Sequence, residues 1–239
     1  MTTTRPQWLC TASWLLRMQA RVAAWVFGVI LVLGAVVLAV VAWRVGPIKY
    51  SASQFVVQSI LWTSFGSTIG FFASYVTPHI ANGRTRGTLA QGVLLASLVT
   101  SAGYTVGFAI LRLFEEWVYG QFGWTPALLE DDVSYINDPA SMFLGLFLLL
   151  LATQVCAYLI GVVYYRWGGW IGTLSLPLTV SAMAVTGGLA LDPTTQWTPW
   201  GAWLHEPQFR PLVALVAIAA AVTMFVLFSR RMPVKTKAA

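Results

Sequence analysis

Residues 22–43 read Val22-Ala-Ala-Trp-Val-Phe-Gly-Val-Ile-Leu-Val-Leu-Gly-Ala-Val-Val-Leu-Ala-Val-Val-Ala-Trp43, with no charged side chain anywhere in the run. About 20 such residues suffice to cross a hydrocarbon core of roughly 30 Å. Hydrocarbon offers no partner to an open backbone group, so a segment of this kind crosses as a helix. A β-barrel would instead show alternating segments of about ten residues. The run therefore sets the class as all-α and membrane-spanning.

Working outward, five further apolar blocks repeat the pattern, at residues 55–76, 89–114, 141–165, 170–191 and 211–228. The expectation is a polytopic protein with six transmembrane helices forming a single transmembrane domain over residues 1–239. Composition agrees: 58% of the residues are hydrophobic and only 9% charged, with mean hydropathy +0.73. Soluble domains carry about 25% charged residues to wet their surface. Pro177, inside the fifth block, removes a backbone donor and is expected to kink that helix.

Before the first block, residues 6–20 are mixed. Trp8, Leu9, Trp14, Leu15 and Met18 fall near helical spacing, with Arg17 and Arg21 on other faces. This pattern predicts an interfacial amphipathic helix ahead of the first span. It does not read as a cleaved signal peptide, having neither a short apolar core nor a small-residue cleavage site.

The charges orient the spans. With the N-terminus inside, the inner segments hold Arg5, Arg17, Arg21, Arg84, Arg86, Arg166, Arg230, Arg231, Lys235 and Lys237, ten of the fourteen basic residues. The outer segments hold Arg44, Lys49, Arg112 and Arg210, together with all eight acids: Glu115, Glu116, Glu130, Asp131, Asp132, Asp138, Asp192 and Glu206. A basic excess marks the cytoplasmic side, so both termini are expected there. This also accounts for the net charge of +6 without a nucleic-acid surface. The C-terminal Arg230, Arg231, Lys235 and Lys237 suit anionic lipid headgroups.

Several chemistries lack their residues. No GxxxxGK[ST] motif is present, so the chain has no P-loop route to ATP hydrolysis. His79 and His205 fall on opposite sides, and Cys10 and Cys156 are isolated, which gives neither a metal site nor a disulfide framework. No acid, base and nucleophile converge on one side, so the chain is not expected to be an enzyme. The spans hold no mid-membrane ionisable group of the kind proton-coupled carriers use. Arg112, with Glu115 and Glu116 three and four residues on, has the spacing of helical ion pairs at the outer end of the third span.

What the spans do contain is hydroxyl, amide and small side chains. In the second, Ser59, Thr63, Ser67, Gly70 and Ser74 recur at intervals of three or four, and Gly66 with Gly70 forms GxxxG. The third adds Ser97, Ser101, Tyr104 and Thr105, and the fourth Thr153, Gln154 and Tyr158. Such residues serve close helix packing. Ser59, Thr63, Ser67, Ser101, Tyr104 and Gln154 could equally line a substrate path.

Between the second and third spans lies Tyr75-Val-Thr-Pro-His-Ile-Ala-Asn-Gly-Arg-Thr-Arg-Gly-Thr-Leu89. Thr77-Pro78 can open a short helix, Asn82-Gly83 can end it, and Thr88 can cap the next span. The product is a short basic hairpin on the inner face, either an ordinary topogenic loop or a docking element.

This layout resembles the permease subunits of ABC exporters of the second exporter type, whose ATPase is a separate chain. Those permeases have an interfacial N-terminal helix, six spans with both ends inside, and a coupling helix between the second and third spans. Small bacterial members often carry an Asn-Gly-x-[Ser/Thr]-Arg-like stretch there, and this chain has Asn82-Gly83-Arg84-Thr85-Arg86. The resemblance implies coupling to an ATPase through Pro78, His79, Asn82, Gly83, Arg84, Thr85 and Arg86. It departs in having no acid in this inner loop. No cofactor is implied on this chain, since ATP and Mg would sit on the cytoplasmic ATPase subunits. Other implied partners are a second permease copy or a similar chain, as homodimer or heterodimer, and membrane lipids, in a bacterial cell (plasma) membrane. It also implies short helices dipping back between the fifth and sixth spans, where Pro193, Pro199, Gly201 and Pro207 fall. A hydroxyl-dotted apolar interior suits an amphipathic small molecule, peptide or lipid as exported substrate. The competing expectation is a non-transporting assembly or immunity protein acting through helix contacts.

Overall fold

The computed structural model describes residues 6–44, 46, 51–124, 139–191 and 209–232. Every regular element among them is a helix: α1 (Gln7–Arg44), α2 (Ser53–Ala81), α3 (Arg86–Phe122), α4 (Pro139–Leu174), α5 (Leu176–Thr179), α6 (Ser181–Leu191) and α7 (Arg210–Arg230). Five of them, α1, α2, α3, α4 and α7, are long and apolar enough to cross a membrane.

The fourth and fifth expected spans meet at a glycine. Gly168 has φ 80° and ψ −174°, a conformation open to residues without Cβ, and it kinks α4 near its end. Beyond it the chain runs back along α4: Cys156 packs with Ala182, and Gly187 lies against Leu149. The fifth block is not one helix. Pro177 sits at the start of the four-residue α5, and a break at Val180 separates α5 from α6. The missing Pro177 N–H accounts for the interruption at Ser175, ahead of α5.

The expected separation of an interfacial helix (residues 6–20) from a first span (22–43) is corrected. α1 continues unbroken for 38 residues, about 57 Å at helical rise. No Gly or Pro lies between Gln7 and Phe27 to end it. Its first turns pack into the bundle through Thr11, Ala12, Leu15 and Gln19; of the expected apolar stripe Leu15 is buried and Trp14 stacks on Tyr75, while Leu9 stays exposed. Gly92 of α3 permits this: a Cβ there would lie 2.6 Å from Thr11 Cβ and 2.9 Å from the Trp8 carbonyl oxygen. Gly107 does the same for the Phe27 ring. α1 and α3 therefore run side by side in the same direction.

α4 is the axis of the molecule. Val155, Cys156, Ala157, Tyr158, Leu159, Val162 and Val163 are all 2% exposed or less. Tyr158 packs edge-on to Phe72 of α2 and beside Phe225 of α7, while Gly161 gives way to the Phe72 ring. Toward the other end, Leu148 and Ala152 meet Ala214 and Ile218 of α7.

These pairings put the start of α1, the α2–α3 turn, Gly168 and the end of α7 at one end. Arg17, Arg84, Arg86, Arg166, Arg230 and Arg231 gather there, with Arg21 one turn farther along α1. Arg44, Arg112, Arg210 and both described acids, Glu115 and Glu116, belong to the opposite end. α3 extends eight residues past its expected limit, so Trp117, Tyr119 and Phe122 lie on a helix, not in an outer loop. The acidic run 130–132, His205, the dipping helices expected around Pro193, Pro199, Gly201 and Pro207, and Lys235 and Lys237 lie outside the described residues.

Candidate functional site

The α2–α3 turn is built differently from its sequence expectation. No separate helix opens at Thr77-Pro78, because α2 runs through Pro78 to Ala81. Pro78 has no N–H to give the Ser74 carbonyl, and only three residues follow it before α2 ends. The side-chain amide of Asn82 donates to the Pro78 carbonyl at 2.8 Å, and Gly83 follows with φ 70° in the left-handed region. Thr85, not Thr88, caps α3: the Thr88 N–H donates to Thr85 Oγ1 at 3.2 Å.

This geometry divides the seven expected coupling residues. Pro78, Asn82, Gly83 and Thr85 are exposed at the tip. His79 is 1% exposed. Arg84 and Arg86 fold back on the protein: Arg84 Nη1 donates to the Tyr75 hydroxyl at 3.1 Å, and Arg86 Nη1 to the Arg230 carbonyl at 3.5 Å. The tip is therefore presented by a small polar set, and the basic side chains brace it.

His79 ties the turn to α1. Its Nε2 donates to the Thr85 carbonyl at 3.2 Å, while Nδ1 lies 3.4 Å from Thr11 Oγ1 and 3.5 Å from the Tyr75 hydroxyl. Trp14 stacks on Tyr75 with ring centroids 4.4 Å apart. Between these groups opens a cleft of about 560 Å³, bordered by Ser13, Trp14, Arg17, Pro78, Asn82 and Arg84.

A second polar feature crosses the middle of the bundle. The Gln19 side-chain amide donates to Thr68 Oγ1 at 2.6 Å, which in turn donates to Gln154 Oε1 at 2.6 Å. Gln154 Nε2 donates to Ser64 Oγ, and Ser67 Oγ donates to Gln19 Oε1 at 3.3 Å. α1, α2 and α4 are thus stitched together by amides and hydroxyls at most 2% exposed, Ser67 apart. Ser101 and Tyr104 of α3 are also buried, and their hydroxyls, like that of Thr100, have no hydrogen-bond partner among the described residues.

Only part of the expected polar set belongs to this seam. Gln154 and Ser67 join it, but Ser59 and Thr63 border a different, apolar cleft of about 1150 Å³ between α1, α2 and α3. Gly66 and Gly70 face open space, so the expected GxxxG contact is not made within the chain. The close approaches fall instead at Gly92, Gly107 and Gly161.

At the opposite end Glu115 is not paired with Arg112. Its carboxylate accepts from the Ala52 and Ser53 N–H groups and from Ser51 Oγ at 2.9 Å, where the first amides of α2 lack helical partners. Arg112 pairs with Glu116 at 3.2 Å. Sequence reasoning missed Gln19, Ser64, Thr68 and Glu115. Gln19 carried a usable signal, since it continues the four-residue spacing of Thr11 and Leu15 ahead of a span.

Among the described residues no three His, Cys, Asp or Glu side chains gather as a metal site. The chain matches no protein-family model, no curated protein and no solved structure.

Proposed function

We propose that this chain is the transmembrane permease subunit of an ATP-driven exporter. It crosses a bacterial cell membrane six times, α5 and α6 forming the broken fifth crossing, with both ends cytoplasmic. The observation that carries the reading is the α2–α3 turn. Two helices of 29 and 37 residues meet there in four linking residues, and the tip is solvent-facing at the basic end. A push on that tip is delivered along both helices to the whole bundle. ATP and Mg belong to partner ATPase subunits, which dock on Pro78, Asn82, Gly83 and Thr85. The unopposed Gly66–Gly70 face of α2 suits close pairing with a second permease chain. The buried hydroxyls of Thr100, Ser101 and Tyr104 suit an amphipathic substrate once the bundle opens.

The experiment is affinity purification of the tagged full chain from its own membranes. An ATPase that binds ATP is expected to co-purify, and Asn82→Trp is expected to reduce its recovery at least tenfold without altering the thermal unfolding of the purified chain. Absence of any ATPase sinks the reading and favours a non-transporting assembly or immunity protein.

A further inference from the structure

We propose that the cleft between the first turns of α1 and the α2–α3 turn holds the phosphate of an anionic phospholipid headgroup. The volume, about 560 Å³, lies within the range of small-molecule sites, roughly 300–1,000 Å³, and far exceeds what one carboxylate would fill. Its charged border is the Arg17 and Arg84 guanidinium groups, with the Asn82 amide beside them keeping one N–H beyond its bond to the Pro78 carbonyl; the Ser13 hydroxyl is already given to the Cys10 carbonyl. Both described carboxylates, Glu115 and Glu116, lie at the opposite end, so none of the described acids neutralises these arginines.

One of the two arginines is held in place. Arg84 is anchored by its bond to the Tyr75 hydroxyl, and Tyr75 is in turn clamped by Trp14 and by the buried His79. Among the described residues Arg17 is tied only through Nε, at 3.3 Å to the Ser13 carbonyl of its own helix. The remaining guanidinium N–H groups match the oxygens of a phosphate, which arginine binds through paired, charge-assisted hydrogen bonds.

A lipid fits better than a soluble anion. Leu9, Trp14 and Pro78 give the cleft an apolar side for the glycerol and first acyl carbons. Arg166, Arg230 and Arg231 at the same end of the bundle mark the level at which an anionic leaflet presents its phosphates. The assignment does not rest on the transport reading, since lipid is read here on the chain without any ATPase.

The test is native mass spectrometry of the detergent-purified full chain, titrated in turn with phosphatidylglycerol, phosphatidylcholine and sodium phosphate. One phosphatidylglycerol per chain is expected, retained at least fivefold over phosphatidylcholine. Arg17→Gln and Arg84→Gln are each expected to lower that retention at least threefold. Arg17→Lys keeps most of it, and Arg231→Gln, outside the cleft, leaves it unchanged. If Arg84→Gln lowers the unfolding temperature through the lost Tyr75 bond, Arg17→Gln decides alone. Equal retention of both lipids, or an equal loss in Arg231→Gln, overturns the proposal as diffuse charge. Displacement of lipid by millimolar phosphate overturns it in favour of a free anion. Unchanged lipid retention in Arg17→Gln and Arg84→Gln, with loss of a co-purifying ATPase, overturns it in favour of an acidic protein partner.

Discussion

α1 and α4 are both long and strongly apolar, yet their surroundings are opposite: the most apolar stretch of α1 is 0% buried and that of α4 is 89% buried. Hydropathy does not separate them. Polar side chains do. Val22–Trp43 has no hydroxyl, amide or thiol, whereas the buried part of α4 carries Thr153, Gln154, Cys156 and Tyr158. In lipid an apolar side chain gains nothing by facing another helix, so association depends on close packing and hydrogen bonds across helices. A helix without polar side chains can stay on the outside, and one dotted with them is drawn inward.

The inner half of α1 obeys the same rule, because Thr11 and Gln19 pull it against α2 and α3. Gly92→Ala tests that contact most severely. The new methyl would meet both Thr11 Cβ and the Trp8 backbone oxygen, and a backbone atom cannot turn aside. A loss of about 3 kcal/mol is expected, the upper end for overpacking, measured by equilibrium unfolding in mixed detergent micelles. Gly103→Ala, on the same helix with open space around its Cβ, serves as the matched control and should not lose stability. Equal losses at the two sites would break the distinction between the packed and open faces.

Gln154→Leu removes the polar feature of α4 at nearly constant volume. Thr68 and Ser64 can each turn their hydroxyls to a carbonyl of their own helix, which limits the damage. Two interhelical bonds at roughly 0.6–1 kcal/mol each give an expected loss of about 1–2 kcal/mol. The same unfolding assay checks it, and an unchanged midpoint would remove the seam from the account of why α4 is central.

Much of this was legible in the sequence. Apolar blocks without charges fix the helical class, Asn82-Gly83 marks the turn, and Pro177 marks the break in the fifth block. The rotation of each helix about its axis was not legible. On α2 the stripe Ser59, Thr63, Ser67, Gly70 and Ser74 has packing spacing, but the packed face is Ile60, Ser64, Thr68, Phe72 and Tyr75, with Ser67 only at its edge. The two stripes differ by about one residue, a turn of roughly 100°, and spacing alone cannot tell which one meets a neighbour. Glu115 was obscured for a related reason. Its local partner Arg112 is visible in the sequence, whereas the unpaired amides at the start of α2 are more than sixty residues away. In the α2–α3 turn the residue types were readable, but their division into an exposed tip and bracing arginines needed the fold. The continuity of α1 was hidden because aromatic and basic residues at an interface read alike whether the helix lies flat or continues upward.

The smallest effect is expected on the bare part of α1. Val36 is 55% exposed within the most apolar stretch of the chain. Val36→Ala would remove two methyl groups that face the surroundings and not another helix. In detergent or bilayer that leaves apolar contact on both sides of the unfolding equilibrium, so the change is expected to stay within about 0.5 kcal/mol. The same substitution inside α4, Val162→Ala at 0% exposure, leaves a gap among fixed neighbours and should cost more. Measuring both in one background turns the contrast between α1 and α4 into a single ratio. A loss above about 1 kcal/mol for Val36→Ala would mean that something other than lipid covers α1, and a concentration-dependent midpoint would identify that cover as a second copy of the chain.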